Sequence, residues 1–133
     1  MVSLDDAAAM ALGLPEVVEG ERQGNRTWCL GKKAFAWERP FSKADIKRFG
    51  ERTPPDGPIL ALLTADLGEK EAILEAATLG AFTIPHFDGY PALLIQLKVV
   101  TKRSLRDLVL DAWLAVAPTP LAARHLKRGR TRR

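Results

Sequence analysis

Between Val17 and Arg39 three short runs of β-type residues are separated by Gln23-Gly24-Asn25 and by Gly31-Lys32. Turns this tight join neighbouring strands that run in opposite directions, so the stretch commits the chain to an antiparallel meander. The rest of the chain must fold around that sheet. In the second and third runs Trp28 and Leu30 fall on one face, as do Phe35 and Trp37. A two-residue turn then predicts an aromatic pair across the hairpin.

Helix signals flank the meander. Ser3, with Asp6 three residues on, forms a capping-box pattern ahead of Leu4, Ala8, Ala11 and Leu12, and Gly13 and Pro15 close that helix. Ser42 and Asp45 repeat the pattern, Phe41 can staple onto Ile46, and Gly50 and Pro54-Pro55 end the second helix. Ile59 to Leu63 is apolar on both faces and reads as a central strand. Asp66 with Glu69 predicts a third helix to about Thr78, and Leu93 to Leu97 a further strand. Thr101 caps a long helix carrying Leu105, Leu108, Val109, Ala112, Trp113 and Val116 at the helical period, stopped by Pro118 and Pro120. The order α-β-β-β-α-β-α-β-α predicts an α+β two-layer sandwich, an antiparallel sheet with helices on one face.

With 133 residues, 47% hydrophobic and 27% charged, the chain has material for one core. Cys29 is alone, so no intramolecular disulfide forms, and a reducing compartment is expected. Asp5 and Asp6 stand where a signal peptide carries basic residues, and no apolar run exceeds six residues. A membrane span needs about 20. These features predict a cytoplasmic protein, with a monomer as the default state.

The hairpin Thr27-Trp28-Cys29-Leu30-Gly31-Lys32-Lys33-Ala34-Phe35-Ala36-Trp37, the helix ending Leu14-Pro15, and the string Thr83-Ile84-Pro85-His86-Phe87-Asp88-Gly89-Tyr90-Pro91 together resemble the MmcQ/YjbR family. The likeness covers about residues 3–117. It implies an α+β sandwich of the secretion-chaperone-like kind, and its members are often labelled DNA-binding. It carries over no catalytic residues.

Charge divides sharply along the chain. Residues 1–123 hold 14 Lys and Arg against 16 Asp and Glu, whereas Arg124, Lys127, Arg128, Arg130, Arg132 and Arg133 give the last ten residues a charge of +6. We therefore read residues 1–118 as the MmcQ/YjbR-like domain and residues 119–133 as a basic tail. Thr119 and Pro120 can start a short helix to Lys127, and the remainder, too polar to offset its ordering entropy, is expected to be mobile. Six cations can neutralise phosphates, giving weak, salt-sensitive binding of DNA or RNA that reads no sequence.

Within the domain, an exposed Trp37 beside Lys33 and Arg39 would make a stacking platform for a base. His86, Asp88 and Tyr90 form a possible ligand loop, with His86 and Asp88 as an acid/base pair if the protein were an enzyme. No Walker motif or strand-to-helix GxGxxG is present, and two histidines with one cysteine fall short of a structural metal site. No cofactor or metal is expected. The sequence thus points to a non-enzymatic binding protein contacting nucleic acid through its tail. A protein- or peptide-binding module using the sheet face or the His86 to Tyr90 loop is the alternative.

Overall fold

The computed structural model describes residues 1–131, with the backbone alone described for 128–131. Helix α1 (Leu4–Leu12) leads into strands β1 (Val17–Arg22), β2 (Asn25–Leu30) and β3 (Lys33–Glu38), then α2 (Lys43–Phe49), β4 (Ile59–Leu63) and α3 (Leu67–Glu75). A two-residue strand β5 (Ala81–Phe82), a 3-10 turn (Pro85–Phe87), β6 (Ala92–Gln96), α4 (Lys102–Val116) and α5 (Thr119–Thr131) complete it. The six strands form one open antiparallel sheet in the order β1-β2-β3-β4-β6-β5. The fold is α+β, as the element order predicts.

Caps set the helix starts. Ser3 and Ser42 each accept the N–H of the aspartate three residues on, which returns the bond, and Asp66 and Thr101 accept from Glu69 and Ser104. Gln23 and Gly24 both have positive φ (53° and 80°), the signature of a two-residue turn whose twist matches its strands, and Arg22 pairs directly with Asn25.

Alternation along β4 and β6 splits the core in two. Leu60, Leu62, Leu93 and Ile95 face a main cluster closed by α1 and α4 around Trp28, Phe35 and Trp113. Ile59, Ala61, Ala92 and Leu94 face a smaller cluster with Ile84, Phe87 and, packed against them, Phe41 and Phe49. Helices therefore do not lie on one face alone. The main layer does, but α2 and the 3-10 turn cover the other face over β4 and β6. Over β1–β3 the helices packed on the sheet, α1 and α4, lie on the main-cluster face, and on the other face Val18 is 65% exposed.

The hairpin also departs from the expected register. Leu30 pairs with Lys33 and Cys29 with Ala34, but Trp28 pairs with Ala36, leaving Phe35 as the extra residue of a β-bulge. Phe35 and Ala36 both enter the main cluster, while Trp37 turns to the opposite face against the second cluster. Phe35 and Trp37 consequently do not share a face. Even spacing implies a shared face only while the ladder is unbroken.

Helix α5 begins at Thr119 and runs beyond Lys127 to Thr131, longer than the start signal alone suggested. Leu121 packs into the main cluster, and His125 meets the Trp113 ring edge-on at 5.2 Å. Among the described residues no helix is long and apolar enough to cross a membrane.

Candidate functional site

The bulge at Phe35 decides where the candidate site lies. By turning Trp37 away from the helical layer it places a half-buried indole at the border between the covered and open parts of the second face. Lys33, Trp37 and Arg39, with Arg22 and Tyr90, line an open cleft of about 680 Å³. An adjoining hollow of about 330 Å³ shares Trp37, Arg39 and Tyr90 and adds His86 and Phe87. Two groups of residues read separately in the sequence, the basic and aromatic sheet residues and the 84–91 loop, thus form one continuous surface.

Its walls are held by two buried charges. Arg39 forms an ion pair with Asp45 at 2.9 Å, donates to the Pro40 carbonyl, and lies over the Phe87 ring at 5.6 Å. Asp45 is 2% exposed. Burial pushes its carboxyl upward, but the backbone N–H of Ser42, the hydrogen bond and charge of Arg39, and the Ser42 hydroxyl outweigh that and hold it below the usual aspartate value. The side chain that caps α2 thereby also orients the cleft's arginine.

Lys70, 5% exposed, fixes the loop from the α3 side. Its ammonium donates to the carbonyls of Phe87 (2.7 Å) and Tyr90 (2.9 Å). Burial lowers its pKa below the ordinary lysine value, opposed by the charge of Asp88. Gly89 supplies the positive φ (72°) of the turn, and Tyr90 meets Phe87 edge-on at 5.8 Å. Neither Lys70 nor the second role of Asp45 was visible in the sequence. A lysine between Glu69 and Glu71 reads as a solvated helix face, and its partners lie 17 and 20 residues away.

The remaining sequence candidates separate. His86 lines the hollow, whereas Asp88 is outside that lining and its charge acts on Lys70. Trp28 is fully buried, donates to Glu19 at 3.0 Å and lies beneath Arg26; Trp113 is fully buried and donates to the Pro15 carbonyl. Cys29 is half-buried with Arg22 3.9 Å from its sulfur. Among the described residues no three His, Cys, Asp or Glu side chains converge as a metal site requires.

Arg124 and Lys127 are exposed on α5, in the helical layer rather than in the cleft. The two surfaces meet at one end, where Ala115 and Val116 of the last α4 turn line the cleft just before α5 begins. Arg128 and Arg130 fall on the α5 backbone with side chains outside the described part, and Arg132 and Arg133 lie outside the described residues.

No family model matches the chain, and no solved structure matches it. Among curated relatives, the uncharacterised proteins Rv2570 and MT2646 of Mycobacterium tuberculosis and Mb2600 of Mycobacterium bovis are each 40% identical to it over 129 residues. Each alignment covers 95% of this chain and 97% of the relative.

Proposed function

The chain belongs to the same family as these mycobacterial proteins, and from the make-up of its cleft we propose that it is a non-enzymatic nucleic-acid-binding protein. In this reading the Trp37 cleft receives unpaired bases, and α5 with the basic tail neutralises phosphates. The observation that carries it is the meeting of Arg22, Lys33 and Arg39 with Trp37 and Tyr90 in one open cleft, where Glu38 is the lone acidic residue of the lining. Cations beside an accessible aromatic face suit a strand whose bases stack and whose phosphates are neutralised. The hollow's lining holds His86 without Asp88, which supports a reading without catalysis. The MmcQ/YjbR resemblance, a cytoplasmic location and a monomeric state belong to the same proposal.

A peptide partner is the second reading, favoured by the open face over β1–β3 and by Val18, whose exposure beside a free strand edge suits an added strand.

The contribution of α5 is read by salt. Changing Arg124, Lys127, Arg128 and Arg130 together to glutamine keeps good helix formers while removing four charges. The slope of log affinity against log salt should then fall by about 0.7 to 0.9 for each phosphate that is no longer neutralised. An unchanged slope would show that α5 does not touch the nucleic acid.

A further inference from the structure

A second pocket, apart from the Trp37 cleft, opens at the C-terminal end of α2. It holds about 270 Å³, and Phe49, Phe82, Ile84, Pro55 and Pro85 are the apolar part of its lining. These apolar residues are already ordered: Phe41 stands 5.3 Å from Phe49 and 6.1 Å from Phe82, and Ile84 is 3% exposed in the second cluster. Arg48 and Arg52 join the same lining. Arg52 is positioned over the Phe49 ring at 5.8 Å and makes no ion pair among the described residues. The carboxylate of the lining, Asp45, is buried and already committed to Arg39 at 2.9 Å, with Arg48 more distant at 3.7 Å.

A largely apolar hollow whose lining includes a guanidinium with no ion pair among the described residues suits a small molecule that is hydrophobic at one end and anionic at the other. The volume of the hollow is that of a small-molecule site. The planar fork of an arginine meets a planar carboxylate through two parallel hydrogen bonds, and aromatic side chains pack a ring edge-to-face. We propose that this pocket binds a small carboxylate carrying an aromatic or branched apolar group, its ring against Phe49 and Phe82 and its carboxylate on Arg52, with Arg48 beside it. The site does not depend on the nucleic-acid reading, because its apolar lining and both arginines lie outside the Trp37 cleft.

Amide chemical shifts of the full chain test this, titrated with 3-phenylpropionate and, in parallel, with the neutral 3-phenylpropanol. The acid should shift Phe49, Phe82 and Ile84 saturably and bind about tenfold more tightly than the alcohol, one charge-assisted pair being worth about that factor. Arg52→Gln, an exposed substitution whose fold the same spectra verify, should erase the preference, and Trp37→Ala should leave it intact. Equal binding of acid and alcohol, no saturable shift at these residues, or an Arg52→Gln protein that still prefers the acid would each overturn the proposal.

Discussion

Replacing Asp45 by alanine is expected to lower stability by about 3 kcal/mol, the low end of the cost of removing one partner from a buried ion pair. Two losses combine. The Ser42 N–H loses the carboxylate that accepts it, although the Ser42 hydroxyl still accepts the N–H of residue 45, and Arg39, with its side chain 18% exposed, keeps its charge with no carboxylate beside it. Partial access to water is why the low end applies. Because the folded pKa of Asp45 lies below its unfolded value, its contribution is complete above the ordinary aspartate range and is lost as pH falls through the folded value. Chemical denaturation from acid to neutral pH checks both points: the alanine variant should be less stable near neutrality and lose less of its remaining stability on acidification. Equal stabilities at neutral pH would show that Arg39 does not rely on Asp45.

Lys70→Met should cost about 2 kcal/mol, because hydrogen bonds from a charged donor contribute about 1.5 to 3 kcal/mol each, offset here by relief from burying the charge. Methionine preserves length and packing. The carbonyls of Phe87 and Tyr90 each keep a backbone partner, from Tyr90 at 3.0 Å and Ala92 at 2.8 Å, so neither is orphaned. The loss falls instead on the attachment of the 84–91 loop to α3. Thermal unfolding should drop by roughly 8 °C, at about 4 °C per kcal/mol for a domain of this size. Amide exchange in the loop should quicken more than in β4. A methionine protein as stable as the original would remove Lys70 from this role.

Legibility in the sequence followed the range of each interaction. The caps at Ser3, Ser42, Asp66 and Thr101 were readable because donor and acceptor lie three residues apart. The meander was readable because its turns are two residues long. The bulge at Phe35 was not, since the extra residue is accommodated by packing of Phe35 and Ala36 beneath the helical layer, and no local signal marks it. That one residue reversed the expected orientation of Trp37. The composition of the cleft was half legible: Lys33, Trp37, Arg39, His86 and Tyr90 were singled out, but their meeting required the fold. His86 and Asp88, read together in the sequence, have different surroundings: His86 lines the hollow, and the charge of Asp88 acts on Lys70.

In the proposed reading Trp37 offers its face to an unpaired base in a cleft whose lining includes Arg22, Lys33 and Arg39. The most direct test is the affinity of the full chain and of Trp37→Ala for a short single-stranded oligonucleotide and for the matching duplex at one fixed low salt concentration. Stacking is worth about 1 to 3 kcal/mol per base, so the single strand should bind about tenfold or more weakly to the variant while the duplex is little affected. Equal single-strand affinity in the two proteins would contradict the account.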